Sequence, residues 1–309
     1  MTEISLRLCA GDEDLAVSVG IYNATWPHEA ISLEEAHAFN ERMDESVETV
    51  AFLNGEPVGS GVAAVFPSLP DRIFTLITVL PGSRRRGVGT ALYGAVSSWA
   101  SERGHDVLRT RAREDDPDGL DYALKHGFAE VERETGLALD LRGLEPLSIA
   151  PPDGIEITSL AEQPDAKSQI YDIAVDAFPD IPGSEDYVFV DREEWLRHHF
   201  HGPTERPEAT FVALAGEEAI GYAKLRVSPA RPNCGVHGMT AVRRAWRGRG
   251  VASALKRAQI RWALANGLAR LETTNELRNE PMQRVNLGLG YRPTPGSITL
   301  EGPLASDET

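Results

Sequence analysis

Two segments of the chain combine closely spaced arginines with glycines, residue types that can hold a phosphate group. One reads PGSRRRGVGTALYG (81–94) and the other reads RRAWRGRGVASALK (243–256). Each follows an apolar run with strand character and precedes a stretch whose apolar residues recur at helical spacing. The first turn of a helix has unpaired backbone N–H groups and partial positive charge, so it attracts anions. Both segments therefore predict a phosphate-binding loop at the start of a helix.

The composition of these loops narrows the class of ligand. Glycine lets the backbone approach a pyrophosphate that a Cβ would obstruct, and the arginine fork supplies charged donors. Neither loop has the lysine followed by serine or threonine of a P-loop, and neither has the three spaced glycines of a dinucleotide fingerprint. ATP and NAD are therefore poor predictions.

The second half of the chain repeats the first. Several glycines align at an offset of 162 or 163 residues: Gly59 with Gly221, Gly87 with Gly250, and Gly127 with Gly290. A two-copy repeat of this length indicates tandem domains, since solenoid repeats are far shorter. The segment LRGLEPLSIAPPDG (141–154) has the proline and glycine content of a linker. The sequence therefore predicts one domain over residues 1–150 and another over 151–309.

Each copy has the same predicted order of elements. A short strand is followed by a helical region and by a hairpin whose turn is NGEP in one copy and AGEE in the other. A further strand, the arginine–glycine loop, an amphipathic helix, a strand, a short helix and a last strand complete the copy. This order predicts an α/β fold, with a mixed sheet and a helix packed after each loop.

Both loops resemble the acyl-CoA signature of the GNAT N-acetyltransferase superfamily, which is arginine or glutamine, two residues, glycine, one residue, and glycine or alanine. The matching residues are Arg84, Gly87 and Gly89 in the first copy and Arg247, Gly250 and Ala252 in the second. The resemblance covers nearly the whole chain. It implies two tandem GNAT-like acyl-CoA N-acyltransferase domains that use acetyl-CoA as the acyl donor, with no metal.

The resemblance also implies which residues contact acetyl-CoA. In the second copy these are Thr240, Ala241, Val242, Arg247, Gly248, Arg249, Gly250, Val251, Ala252, Ser253, Asn279 and Asn286. The corresponding set in the first copy is Val79, Arg84, Arg85, Arg86, Gly87, Val88, Gly89 and Thr90. Asn279 takes the place of the family's coenzyme-binding asparagine, whereas the first copy has Asp116 there. We therefore expect the second copy to be catalytic and the first to be degenerate.

Acetyl transfer to an amine needs a base for the amine, donors for the oxyanion and a proton for the leaving thiolate. The resemblance places the donors on backbone N–H groups of residues 239–242. The family's acid, a tyrosine, is replaced by Asn286 and Ala123, and Tyr122 is expected to be a packing residue. Asn286 cannot donate a catalytic proton, but it is a candidate catalytic-site residue that could hydrogen-bond the coenzyme's sulfur or pantetheine. His237 is the candidate base, and a histidine that fills a strand face is the alternative.

Two further features have competing interpretations. The inserted segment AFPDIPGSEDYVFVDREEW (177–195) contains Asp180 and Glu185, which could attract a cationic amine or form an exposed acidic loop. HHFH (198–201) and the pair Cys234 and His237 suggest zinc, but no partner pair lies at a standard spacing. We therefore predict no metal site.

The overall charge limits the partners. The formal net charge is −16, so the chain suits neither nucleic acid nor a membrane surface, since both attract basic proteins. The 309 residues include two cysteines, which are far apart in the sequence. The cysteine usage and the absence of an apolar leader at the start predict a cytoplasmic protein, and the excess of arginine over lysine is typical of a GC-rich bacterial genome. We expect a monomer or a homodimer.

These observations lead to one prediction and to alternatives. The chain is expected to be an N-acetyltransferase that moves acetyl from acetyl-CoA directly to a small-molecule amine in a ternary complex. A non-catalytic acyl-CoA sensor or scaffold is the alternative from another class, because the family's acid is missing from both copies. The tandem architecture resembles mycothiol synthases, so a mycothiol-precursor-like amine remains open as acceptor, as does a protein or peptide amine.

Overall fold

The computed structural model describes residues 3–306. They form two compact units that do not follow the halves of the chain. Unit 1 comprises residues up to 133 together with residues from 297 onward, and unit 2 comprises residues 134–296. No helix among residues 3–306 combines the length and apolar composition needed to cross a membrane.

Unit 1 follows the order of elements expected for the first copy. Its strands and helices are β1 (Ile4–Leu8), α1 (Asp12–Thr25), α2 (Leu33–Asn40), β2 (Glu45–Leu53), β3 (Glu56–Val65), β4 (Ile73–Val79), α3 (Val88–Ser101), β5 (Val107–Arg113) and α4 (Pro117–Lys125). The β2–β3 hairpin turns at Asn54 and Gly55, whose φ angles of 54° and 87° are those of a type I′ turn. The predicted NGEP hairpin is therefore confirmed.

The sheet of unit 1 is antiparallel from β1 to β4 and parallel between β4 and β5. Its last strand comes from the far end of the chain, because residues 297–303 of β12 (Arg292–Pro303) pair with β5. Helix α3 packs its apolar face on the sheet, and Leu92 and Val96 in this helix are buried. The core therefore lies between the sheet and the helix that follows the arginine–glycine loop.

Unit 2 repeats this arrangement. Its elements are the end of β6 (Ala129–Asp140), β7 (Glu156–Ser159), α5 (Lys167–Ala177), α6 (Arg192–Phe200), β8 (Phe211–Ala215), β9 (Glu218–Val227), β10 (Cys234–Val242), α7 (Val251–Ala265), β11 (Arg270–Glu276) and α8 (Glu280–Gly288). The spacing of apolar residues predicts that Val251, Ala254, Leu255, Ala258 and Trp262 share one face of α7. The first four are buried, and Trp262 is partly buried.

The sheet of unit 2 has the same pattern of pairing. Strands β7 to β10 are antiparallel neighbours, and β10 is parallel to β11. Residues 134–140 of β6 pair antiparallel with β11 and complete the sheet. Each unit therefore receives one strand segment from the other half of the chain. The division at residue 150 stays a prediction about the sequence repeat, and it does not coincide with the limits of the compact units.

Candidate functional site

A cleft opens in unit 2 where two parallel strands separate. The pairing of β10 with β11 runs from Cys234–Arg270 to Val236–Glu272, while β10 itself continues to Val242. Between His237 and Thr240, β10 also carries a bulge against β9. Such a bulge changes the direction of the strand and frees backbone groups from the ladder. The end of β10 can therefore offer backbone donors to a bound molecule.

A cavity of about 600 Å³ lies beside this part of β10. Its wall includes many residues predicted from the sequence to bind coenzyme: Thr240, Ala241, Val242, Arg247, Gly248, Gly250, Val251, Ala252, Ser253 and Asn279. Met239, the first residue of the segment 239–242 in which backbone donors are expected, also lies on this wall. Sequence reasoning missed Trp246, Arg257 and the face of α8 that includes Met282 and Val285. The cavity therefore brings together the end of β10, the loop and two helices.

The loop before α7 holds the backbone in the conformation that the glycines predict. Gly248 has φ 72° and Gly250 has φ 89°, both in the left-handed region that side chains disfavour. Gly250 is the N-cap of α7, and this residue makes no side-chain capping bond to the first N–H groups of the helix. By contrast, α8 is capped by Asn279, whose Oδ1 accepts from the N–H of Met282 at 3.3 Å. The N-terminus of α7 is thus open for an anion, as the phosphates of a coenzyme require.

The signature arginine of this loop is held at both ends. The Nε of Arg247 donates to the carbonyl oxygen of Val242 at 2.9 Å, and its Nη1 lies 2.7 Å from Oδ2 of Asp180. Arg244 donates to both carboxylate oxygens of Asp180 at 2.8 Å. These hydrogen bonds hold the pKa of Asp180 well below its usual range. Asp180 is therefore engaged with the loop, which argues against the expectation that it attracts a cationic amine.

His237 lies away from the cavity wall. It is buried, with Nδ1 2.9 Å from Oε1 of Gln259 and Nε2 2.5 Å from the hydroxyl of Tyr291. Burial, with the neighbouring charge of Lys256, lowers the pKa of His237 well below its usual value. A role as base stays a prediction, and these contacts favour the alternative of a histidine within the core.

Asn286 is also fully buried and lies behind the wall. Its Nδ2 donates to Oδ1 of Asn275 at 2.7 Å, and its own Oδ1 has no partner among the described residues. Arg249, another predicted contact, lies with its guanidinium 5.0 Å from the ring of Trp246. Neither Asn286 nor Arg249 lines the cavity. Their predicted contacts with coenzyme therefore remain predictions.

Unit 1 contains a second cavity, of about 420 Å³, in the equivalent place. Strands β4 and β5 pair in parallel only at Ile73–Leu108 and Phe74–Arg109, so this pair also separates toward the loop. The predicted residues on its wall are Val79, Arg84, Arg85, Gly87, Gly89 and Thr90. Arg86 is exposed and Val88 is buried in the core, and neither lines the cavity.

The two loops have the same backbone conformation. Arg84 has φ −64° and ψ 159°, and Arg247 has φ −69° and ψ 158°. Gly87 is the N-cap of α3, with φ 86° and no side-chain capping bond, as Gly250 is for α7. Arg85 has φ 61° at the position of Gly248. A left-handed conformation costs a residue with a Cβ roughly 1–2 kcal/mol. The first loop therefore has the backbone geometry of the second despite an unfavourable residue.

Arg84 repeats the contacts of Arg247 with different carboxylates. Its Nε donates to the carbonyl oxygen of Val79 at 3.3 Å, and its guanidinium meets Asp116 at 3.1 and 3.3 Å and Asp118 at 3.4 Å. Asp116 also caps α4 by accepting from the N–H of Gly119. The carboxylate in place of the family's asparagine is thus next to the loop, and a positive charge partly neutralises it.

Tyr122 differs from the expectation of a packing residue, since it lines the cavity of unit 1. Its ring packs beside Gly89, where an added Cβ would lie 3.5 Å away, in ordinary van der Waals contact. The ring of His126 lies 4.1 Å from that of Tyr122, centroid to centroid, and also borders the cavity. The spacing of Tyr122 within its helix could not reveal this, because the cavity also depends on residues of β4, β5 and the loop that are distant in the sequence.

The segments considered for zinc are occupied by other contacts. His199 stacks on Trp195 at 4.0 Å between centroids, and Nη2 of Arg231 lies 3.0 Å from Sγ of Cys234. Within the part of the chain that the structure describes, no group of three or more histidine, cysteine or acidic residues is arranged to hold a metal ion.

Comparison with known proteins identifies the family. Residues 17–128 and 167–291 both match the model of the Acetyltransferase (GNAT) family, and the chain belongs to that family. A mycothiol acetyltransferase from Geodermatophilus obscurus is 28% identical over 154 residues, which are 50% of this chain and 47% of that protein. The chain thus matches about half the length of this curated relative.

Two solved structures share the fold over nearly the whole chain. A GCN5-related N-acetyltransferase from Sphaerobacter thermophilus has a TM-score of 0.75 at 21% identity, covering 98% of this chain and 96% of that one. A tandem GNAT protein from the clavulanic acid biosynthesis pathway has a TM-score of 0.77 at 18% identity, covering 99% and 100%. The prediction of a tandem GNAT fold is confirmed.

Proposed function

We propose that unit 2 catalyses the transfer of an acetyl group from acetyl-CoA to the amine of a small molecule. The observation that carries this proposal is that one cavity is bordered both by the open end of β10 and by the N-terminus of α7. Membership of the GNAT family supports acyl-CoA as the donor. In this proposal the phosphates lie on the backbone of residues 248–253, and the pantetheine arm runs between α7 and α8.

The end of β10 supplies donors for the reacting carbonyl. Ala241 and Val242 still pair with Tyr222 and Gly221, whereas Gly238 and Met239 lie within the bulge. On the other edge of β10 the pairing with β11 ends at Val236, so we assign the oxyanion contact to backbone N–H groups of residues 239–242. The Oγ1 of Thr240 is buried beside this position without a hydrogen-bond partner among the described residues, so it is a further donor. Removing one such donor typically lowers kcat about 10²–10³-fold.

The leaving thiolate has no side-chain acid in this proposal. Asn286 cannot donate a catalytic proton, and its position behind the wall agrees with a structural role. A thiol titrates near ~8.5, so a thiolate can leave and take its proton from water at neutral pH. The missing acid is also what favours the second candidate function, a non-catalytic acyl-CoA sensor or scaffold.

Unit 1 is proposed as a coenzyme-binding unit without turnover. Coenzyme binding is supported by the loop geometry that unit 1 shares with unit 2. The carboxylates of Asp116 and Asp118, which bond to Arg84, are expected to weaken that binding. We propose that the acceptor is a small amine. We also propose that the protein is cytoplasmic and is a monomer or a homodimer. Half-length similarity to a mycothiol acetyltransferase favours a mycothiol-precursor-like amine as the first alternative acceptor to assay.

Calorimetric titration with acetyl-CoA, combined with a thiol-release assay over a panel of amines, tests the proposal. The variants are Gly250→Glu and Gly87→Glu. Each places a carboxylate in one loop, at a position whose positive φ is unfavourable for a residue with a Cβ. Loss of turnover in Gly250→Glu but not in Gly87→Glu supports catalysis in unit 2. Binding without turnover of any amine would favour the sensor, and absence of binding to the wild type would contradict both functions.

A further inference from the structure

The cavities of the two units differ at their inner ends, and strand register shows which residues correspond. Val79 pairs with Gly59 on β3, and Val242 pairs with Gly221 on β9. Four residues further along β3 and β9, Ala63 pairs with Thr75 and Leu225 pairs with His237. Thr75 therefore occupies in unit 1 the place of His237 in unit 2, because the bulge gives β10 one extra residue.

In unit 2 this inner space is filled by polar side chains. His237 bridges Gln259 and Tyr291, and the Nζ of the buried Lys256 lies 5.7 Å from the ring centroid of Tyr291. Beside them, Asn275 and Asn286 are buried and bonded to each other. The residues that line the cavity of unit 2 include none of these six side chains. The cavity of unit 2 therefore ends before this cluster.

In unit 1 the corresponding side chains leave the space open. With the offset of 163 set by the glycines that end α4 and α8, the counterparts of Lys256, Asn275, Asn286 and Tyr291 are Tyr93, Ala112, Ala123 and Phe128. All four, with Thr75, line the cavity of unit 1. Unit 1 has alanines where unit 2 has Asn275 and Asn286, and it has a threonine where unit 2 has His237. The loss of side-chain volume extends this cavity inward.

The inner end of the cavity in unit 1 presents hydrocarbon rather than polar groups. Thr75 directs its hydroxyl to the carbonyl oxygen of Val62 at 2.8 Å, and the hydroxyl of Tyr93 donates to the carbonyl oxygen of Pro303 at 2.8 Å. Their polar atoms are therefore already satisfied by backbone groups, and Ala112, Ala123 and Phe128 add apolar surface. An apolar space of this kind favours a hydrocarbon group, because water there lacks partners.

The same cavity reaches the phosphate-binding loop, since Arg84, Gly87 and Gly89 also line it. We propose that unit 1 binds an acyl-CoA whose acyl chain is longer than acetyl, with the chain in the inner space between Thr75, Ala112, Ala123 and Phe128. Unit 2, closed at the equivalent place, takes acetyl-CoA. This proposal rests on coenzyme binding by the loop of unit 1 and is independent of catalysis by unit 2.

The test is a calorimetric series with CoA, acetyl-CoA, butyryl-CoA and hexanoyl-CoA on the full chain. In the Gly250→Glu variant only the loop of unit 1 is unaltered, so binding there can be measured alone. In the Gly87→Glu variant only the loop of unit 2 is unaltered. In Gly250→Glu we expect affinity to rise up to about fourfold for each added methylene, the gain for burying a CH₂ group. In Gly87→Glu we expect hexanoyl-CoA to bind no more tightly than acetyl-CoA.

A variant that fills the inner space of unit 1 tests whether the acyl chain binds there. Ala112→Asn with Ala123→Asn, made in the Gly250→Glu background, introduces the asparagine pair that unit 2 already accommodates. We expect it to abolish the gain with chain length and to change acetyl-CoA affinity less than about threefold. Leu124→Asn, on the exposed side of the same helix, is the matched control and should keep the gain. Ala123→Leu is a second filling variant if the asparagine pair prevents folding.

Three results would overturn the proposal. One is equal binding of acetyl-CoA and hexanoyl-CoA in Gly250→Glu, and another is a chain-length gain that survives filling of the inner space. The third is a gain that is lost in Gly250→Glu and kept in Gly87→Glu, which would place the longer chain in unit 2. None of these results bears on turnover with acetyl-CoA, which tests the proposed function separately.

Discussion

The carboxylate of Asp180 lies 2.7 Å from the guanidinium of Arg247, the signature arginine of the loop in unit 2. Both residues border the cavity that we assign to coenzyme. Coenzyme phosphates and Asp180 are then anions that share one set of arginine donors. This shared use of donors makes coenzyme affinity sensitive to a residue of the inserted segment.

Asp180→Asn is expected to tighten acetyl-CoA binding by unit 2 about two- to fivefold at low salt, because a like charge is removed beside the phosphates. The gain should shrink as salt screens the charges. Calorimetry in the Gly87→Glu background measures it. Glu185→Gln, an exposed change in the same segment, is the control and should leave affinity unchanged. Weaker binding in Asp180→Asn would show that Asp180 orders the loop instead.

Asp116→Asn is expected to strengthen coenzyme binding by unit 1, since it restores the family's residue and releases the guanidinium of Arg84. The cap of α4 should survive, because asparagine caps helices about as well as aspartate. The measurement is acetyl-CoA titration in the Gly250→Glu background. Asp121→Asn removes one exposed negative charge from the same helix and is the control. Equal gains in both variants would attribute the effect to net charge alone.

Lys256→Met is expected to raise the free energy of unfolding at pH 7 by on the order of 2–4 kcal/mol. Burial lowers the pKa of Lys256 to about 7, from 10.5 in an unfolded chain. Between these values the unfolded chain binds a proton that the folded chain lacks, so wild-type stability should rise with pH from 7 to 10.5. The variant should lose this rise, as measured by urea unfolding.

Lys125→Met serves as the control for that experiment, because it removes an exposed lysine from unit 1. It should leave the pH dependence of unfolding in place. A Lys256→Met variant that keeps the rise in stability between pH 7 and 10.5 would show that Lys256 is not its source.

His237→Ala is expected to lower the free energy of unfolding by about 1–3 kcal/mol, because Gln259 and Tyr291 lose a buried hydrogen-bond partner. The acid limb of the kcat/KM profile should stay where it is if His237 has only a packing role. Urea unfolding and a pH–rate series on the same preparation measure both effects. A shifted acid limb would restore His237 as the base.

Gly221→Ala is expected to destabilise unit 2 by about 1–3 kcal/mol and to reduce turnover. A Cβ there would lie 2.9 Å from the carbonyl oxygen of Ala241, a backbone group on the cavity wall. Gly94→Ala in α3 has no atom within 4 Å of the added Cβ and should stabilise the chain by about 0.5–1 kcal/mol. Unaltered stability and turnover in Gly221→Ala would contradict the close approach of β9 and β10.

The sequence predicted the elements that depend on local pattern. The repeat of glycines placed both loops, and the spacing of Val251, Ala254 and Leu255 predicted the buried face of α7. Gly87 and Gly250 are helix N-caps with positive φ, as their place in the signature implies. These features follow from neighbours in the chain, which is why the sequence reveals them.

Contacts between distant segments were not visible in the sequence. The pairing of Asp180 with Arg247 joins residues 67 apart, and the inner space of unit 1 depends on Ala112 and Ala123 facing Thr75. Small residues at single positions give no periodic signal, so their joint effect on cavity volume appears only in three dimensions. For the same reason the place of Tyr122 beside Gly89 was not predicted.

The exchanged strand segments bear on how the chain can be divided. A cut near residue 150 would remove residues 297–303 from unit 1 and expose the edge of β5, and it would equally deprive β11 of residues 134–140. An unpaired sheet edge promotes aggregation. The two halves are thus expected to be insoluble when produced separately and to recover a folded protein when co-expressed, as the fragments of a split reporter do.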